Sequence, residues 1–235
     1  THYKTDVDVV YFEKSRNGPL NVKQLNTLHI DLSKTEEELY SALNRTAKKS
    51  LTKVEKYGNF KYFLNLRPSY QDVCEFYNYY YGFCQEKKLN PVAINEVKKY
   101  WKAGALAIAN VTDSEKGKLN YACYIMDKGN IYVRGWLTGS YFRSFTDPSM
   151  RNLIGLANRY SVWQSIKAFK QLGFLIYDFG GITLQKDNIE MSNIDNFKMG
   201  FGGSIITEYN FQKNKIRLAN ETSCSKFEKW ENRSN

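Results

Sequence analysis

Along the chain, apolar positions first recur at every second residue and then at every third or fourth. DVDVVYFEK (6–14) alternates into a β-branched run, and LNTLHIDLS (25–33) repeats the pattern, so both predict strands. Ser33 or Thr35 then precedes Glu36, Glu37 and Glu38, a combination that suits a helix N-cap and the positive end of its dipole. Leu39, Leu43, Ala47, Leu51 and Val54 continue at helical spacing, with Gly58 as the stop. NFKYFLNL (59–66) returns to strand character. In YQDVCEFYNYYYGFCQEKK (70–88), Val73, Phe76, Tyr77, Tyr80 and Cys84 share one helical face and read as core. A shorter helix, NEVKKYWKAG (95–104), follows Pro91.

The second half is more regular. ALAIANV (105–111), KLNYACYIMD (118–127) and NIYVRGWLT (130–138) predict three strands, and their short connections predict consecutive antiparallel pairing. GSYFRSFTDPSMR (139–151) reads as an irregular loop before a long helix, NLIGLANRYSVWQSIKAFKQLG (152–173). FLIYDFGG (174–181) reads as a buried strand whose Gly-Gly end permits a sharp turn or close backbone approach. A short helix, SNIDNFKMG (192–200), then precedes closing strands GSIITEYNF (203–211) and NKIRLAN (214–220). No repeat, low-complexity block or linker interrupts residues 1–220, which predicts one domain followed by a polar tail, 221–235.

Composition narrows the classes of partner and chemistry. The chain has 235 residues, 42% hydrophobic and 15% aromatic, which is enough core-forming material to exclude disorder. No apolar run approaches a membrane span, so no stable membrane insertion is expected. THYKTDVDVVYF lacks the pattern of a signal peptide, and the expected location is the cytoplasm. Cys74, Cys84, Cys123 and Cys224 lack metal-ligand spacing and read as reduced thiols. With only His2 and His29, a histidine triad or multi-histidine metal centre has no support, so no metal is expected. The net charge of +10 suits an anionic ligand. Its densest cluster, RTAKKSLTKVEK (45–56), is equally compatible with a solvated helix face.

Three antiparallel strands, a long helix, a strand, a short helix and two closing strands resemble the element order of the GNAT acyltransferase fold. FKMGF (197–201) looks like the aromatic-Lys-x-Gly-Phe segment common in that superfamily. YDFGGI (177–182) followed by NFKMGFGG resembles the Fem-type branch, which includes peptidoglycan-bridge aminoacyltransferases. LHIDLSKTEEELYSALNRTAKKSLTKVEKYG (28–58) and GLANRYSVWQSIKAFKQLGF (155–174) are similar to that branch's N-terminal strand-helix and central helix. The resemblance spans residues 6–211 and implies an α/β (α+β) GNAT fold, with a mixed, mainly antiparallel central sheet flanked by helices. Two departures stand out. NLIGLA (152–157) is a degraded form of the usual phosphate loop, and Asn196 occupies the position of a common acidic tyrosine.

The resemblance implies acyl transfer to an amine, which needs a free amine, a held ester or thioester and donors toward the oxyanion. Lys198 is then a charge near the oxyanion or a phosphate, against the plainer reading of a surface lysine at a helix end. Asp178 either receives the amine's proton or caps the glycine turn, and Glu190 is a second candidate base. Arg134 and Trp136 alternate onto one strand face, suited to a phosphate or carboxylate and to a ring, respectively. Tyr141, Arg159, Trp163, Gln164 and Tyr177 complete the expected substrate site. Arg143, Arg151, Asn152, Leu153 and Gly155 form the expected donor site, where free N–H groups at a helix N-terminus would meet a pyrophosphate. The leading expectation is an N-acyltransferase moving an acyl group from acyl-CoA, as co-substrate, to an amino sugar. That sugar is expected to be nucleotide-linked and destined for a cell-surface glycan. One alternative is a tRNA-dependent aminoacyltransferase acting on a peptidoglycan precursor, and another is a GNAT-like binding module without catalysis.

Overall fold

A computed structural model describes residues 9–15, 23–140, 145–184 and 187–214, with side chains over 25–140, 145–184 and 187–209. Its contacts divide it into two units. In the smaller, β1 (Val9–Ser15) pairs antiparallel with the far part of β8 (Ser204–Asn214), Val9 opposite Asn214 and Ser15 opposite Tyr209. The expected strand over 214–220 and the polar tail lie outside the described residues, apart from Asn214 itself.

The larger unit, Asn26–Ile206, carries the remaining elements. Its strands are β2 (Lys23–Asp31), β3 (Phe60–Asn65), β4 (Leu106–Asp113), β5 (Gly117–Asp127), β6 (Tyr132–Ser140) and β7 (Ile176–Ile182). They run in the order β2-β7-β6-β5-β4-β3. The three central strands form the expected antiparallel meander. β7 joins it parallel to β6 after a crossover, so the sheet is mixed and mainly antiparallel. Alternation serves both faces. Ala107 and Ala109 point to a core shared with helices α1 (Glu36–Ala42), α2 (Arg45–Tyr57) and α5 (Pro148–Gln171). Leu106 and Ile108 point to a second core under α3 (Tyr70–Glu86) and α4 (Ile94–Lys102).

Two helix boundaries differ from the sequence pattern for local reasons. The run from Leu39 to Val54 is two helices, because Leu43 is extended and Asn44 turns its side chain onto the Ala47 N–H at 2.8 Å. An asparagine that can cap competes with helix continuation. The apolar positions still reach the core, and Gly58 ends α2 in the left-handed region at φ 72°. Helix α5 begins one turn earlier than expected, with Asp147 as its cap and Pro148 as its first residue.

The glycines after helix α6 (Ile189–Met199) bring backbones together. Gly200 O accepts from Asn44 N at 2.9 Å, tying this turn to the α1–α2 corner. A Cβ on Gly203 would stand 2.4 Å from the His29 carbonyl oxygen, and its φ is +94°. Gly203→Ala is expected to cost about 2–4 kcal/mol, from steric overlap and a disfavoured φ. Thermal unfolding measures that loss, and an unchanged Tm would mean that this approach is not tight.

Candidate active site

Among the described residues, β6 and β7 pair only over Tyr132–Arg134 against Ile176–Asp178. Beyond that point β6 continues to Ser140 and β7 to Ile182. Their carboxyl ends therefore part beyond Arg134 and Asp178. The crevice at the ends of parallel strands is the usual binding position in such sheets. Gly180 turns β7 at φ +75°, and a Cβ there would lie 3.4 Å from the Gly135 oxygen. Opposite, the β5–β6 register shifts so that Trp136 is the extra residue between the Tyr124–Gly135 and Cys123–Leu137 pairs. This bulge bends β6 where the strands part.

Asp178 sits at the base of the opening, fully buried. Thr27 and Tyr132 donate their hydroxyls to its two carboxylate oxygens. The Gly180 N–H donates to Oδ1 at 2.7 Å, and His29 Nε2 lies 3.9 Å from the same oxygen. The Thr27 hydroxyl also lies 2.9 Å from the Gly180 carbonyl, a second acceptor for its one proton. The carboxylate thus holds the glycine turn through backbone and side-chain donors at once.

Helix α6 returns to the same turn. Lys198 Nζ donates to the Gly181 carbonyl at 2.6 Å, which places its charge at the mouth of the opening. Two devices fix this helix. Phe201 is buried and stacks its edge on half-buried Phe197, with ring centroids 5.5 Å apart. Asp195 is also buried and accepts from Thr183 N, Thr183 Oγ1 and Leu184 N, at 2.9–3.1 Å for the nearest pairs. Beside α6 lies a cleft of ≈ 500 Å³ lined by Asn44, Thr46, Asn158, Arg159, Asn193 and Phe197, among others. Arg159 lies over the Phe197 ring, 5.3 Å from its centroid, and burial lowers its pKa below the usual guanidinium value.

The expected site residues divide into groups. Arg134 and Trp136 share the sheet face opposite Val133, as alternation requires, and Trp136 packs on Tyr100 at 4.9 Å. Arg134 is paired in register with Asp178. Asn152, Gly155 and Arg159 come together on α5 around a ≈ 300 Å³ hollow shared with Ser50 and Lys53 of α2. Trp163 is buried against Tyr40, and Tyr177 is buried in the same core, where burial pushes its hydroxyl pKa up. Gln164 is half-buried on α5, Leu153 packs into a smaller core, and Glu190 is exposed on the first turn of α6. Tyr141 and Arg143 lie outside the described residues.

The expected start of the helix at the donor site needs a correction. The helix does not begin at Asn152, so Arg151, Asn152, Leu153 and Gly155 are inside α5, and Arg151 N already bonds Asp147 O at 3.1 Å. At the true N-terminus, the Asp147 carboxylate accepts from Ser149 N at 3.0 Å and Met150 N at 3.2 Å. A negative cap occupies the donors that an anion would use. Sequence reasoning missed Thr27, Tyr132 and Asp195. The Asp-Pro pair at 147–148 was a usable signal for the helix start.

No family model and no curated protein matches the sequence. Solved structures do match the fold. FemX aligns with a TM-score of 0.63 at 10% identity, covering 88% of this chain and 66% of its own. L-PGS from Bacillus licheniformis aligns with a TM-score of 0.50 at 13% identity, covering 92% of this chain and 64% of its own. A conserved protein of unknown function from Bacteroides thetaiotaomicron scores 0.53 at 8% identity, covering 89% and 64%. The chain thus spans slightly under two thirds of each of these structures. The chain therefore shares the fold of FemX, a mixed, mainly antiparallel sheet flanked by helices, as expected from the sequence.

Proposed function

We propose that the larger unit is the core of a transferase that moves an aminoacyl group from an activated ester, carried by tRNA, to a primary amine of a cell-surface precursor. The observation that carries this reading is the opening between β6 and β7 with Lys198 held at its mouth. An ester carbonyl lodged between the two strand edges meets backbone N–H donors and an ammonium, the arrangement an oxyanion requires. The amine nitrogen attacks the carbonyl carbon, the C–O bond to the donor breaks, and the amine's proton ends on the departing oxygen. Arg159 and the cleft beside α6 supply a charge and room for the acceptor.

Fem-type likeness and the carboxylate cap at Asp147 both favour an ester donor over acyl-CoA, whose pyrophosphate would face that carboxylate. Transfer from acyl-CoA to an amino-sugar nucleotide is the second reading, supported by the basic charge of the chain. One experiment separates them. The protein is incubated with amine acceptors and either charged tRNA or a set of acyl-CoAs, and products are weighed by mass spectrometry while free thiol is followed. Aminoacylated product without thiol release is the expected result. Thiol release with an acylated amino sugar would establish the second reading. Folded protein inactive with both donors would favour a binding module.

A further inference from the structure

The first two turns of α6 carry unusual side chains for a soluble surface. Ile189 is 77% exposed, and Met191 and Ile194 are exposed as well, as is Leu184 in the loop before them. Scattered exposed apolar residues are ordinary, but Ile189, Met191 and Ile194 fall within the first two turns of one helix, Met191 and Ile194 about 60° apart around its axis. The second half of the helix is anchored by Asp195 and Phe197. Across the cleft, α2 presents Arg45, Lys48, Lys49 and Lys53 along a shallow basic surface. Glu55 is the one acid within that helix, and among the described residues no carboxylate pairs with those four cations. The cleft joins the two features, since Thr46 and Ala47 line one wall and Asn193 and Ile194 the other.

We propose that this side of the unit docks on an anionic lipid bilayer, with Ile189, Met191 and Ile194 entering below the headgroups and the α2 cations lying over them. Apolar side chains beside a basic strip are the two signals that peripheral attachment requires, since neither suffices alone. A nucleic acid would use the cations and leave the apolar tip unexplained. A second copy would bring two basic strips together, which repel. Docking in this orientation turns the mouth of the cleft toward the lipid surface, so an acceptor would arrive from the membrane. It extends the transferase reading but does not depend on it, because attachment needs no chemistry.

The test is co-flotation of the full chain with vesicles of phosphatidylcholine, with and without phosphatidylglycerol. Attachment is expected only with the anionic lipid and should weaken as salt rises. The double variant Ile189→Asp/Ile194→Asp should reduce partitioning by about tenfold or more. Lys49→Gln and Lys53→Gln should each reduce it by about fivefold. Unchanged circular dichroism and Tm must accompany these losses. Equal binding to neutral vesicles, no binding to either, or a dimer that Ile194→Asp dissolves would each overturn the proposal. So would RNA binding that persists in the Ile189→Asp/Ile194→Asp variant while vesicles are ignored. Lys198→Met must leave flotation unaltered, so failure of the transfer reaction and failure of docking are separate results.

Discussion

Lys198→Met should lower kcat by about 10²–10³-fold while Tm stays nearly constant. Methionine keeps the apolar stem and removes only the ammonium. Its hydrogen bond to Gly181 O, at 2.6 Å, is exposed and worth about 1 kcal/mol. The catalytic cost is larger because the charge sits where strands β6 and β7 open. A preorganised donor at a forming oxyanion typically supplies about 3–4 kcal/mol. If the ammonium instead holds a phosphate of the donor, KM rises and kcat survives. Steady-state kinetics beside thermal unfolding distinguishes these outcomes. A variant with both constants intact, or with Tm as its main loss, would make Lys198 a strand-end clamp and nothing more.

The segment DNFKMGFGG shows what a sequence can and cannot reveal about such a site. Phe197 and Phe201 at four-residue spacing announce a shared helical face, and the structure packs them against each other. The segment's glycines permit either a positive-φ turn or a close approach, and the sequence does not say which or to what. Gly203 meets the backbone of His29, and Gly200 meets Asn44, both far away in sequence. Asp195 was passed over because a carboxylate on a short helix looks solvated until its three donors from Thr183 and Leu184 are seen. Local competition explains the helix boundaries. Asn44 breaks a run whose apolar spacing is continuous, and Asp147-Pro148 starts α5 before its apolar pattern does. The pairing of β4, β5 and β6 was readable because short connections allow few pairings, whereas the opening between β6 and β7 depends on where a parallel ladder ends.

Asp178→Ala should destabilise the fold by about 3–6 kcal/mol, the larger of two effects at this carboxylate. Truncation removes the carboxylate acceptor from the Gly180 N–H and the Tyr132 hydroxyl, each loss costing about 1–3 kcal/mol. Thr27 loses less, since it keeps the Gly180 carbonyl at 2.9 Å. Asp178→Asn separates structure from catalysis. Its remaining oxygen can still accept from Thr27 and Gly180 N, and its amide can donate to Tyr132 if that hydroxyl turns to accept. Stability should fall by no more than about 1–2 kcal/mol in this variant. A general base is worth about 10²–10⁴-fold in rate, so loss of that role would appear as a collapse of kcat in a folded protein. Burial argues for the other outcome. Asp178 is enclosed by Thr27, Tyr132, His29 and the glycine turn, and an ammonium must displace them to reach it. We therefore expect Asp178→Asn to retain kcat within about tenfold, with an unaltered pH profile. Tyr132→Phe should act in the same modest way, because the carboxylate keeps its other donors. A hundredfold loss in Asp178→Asn at normal Tm would show instead that this carboxylate takes the proton.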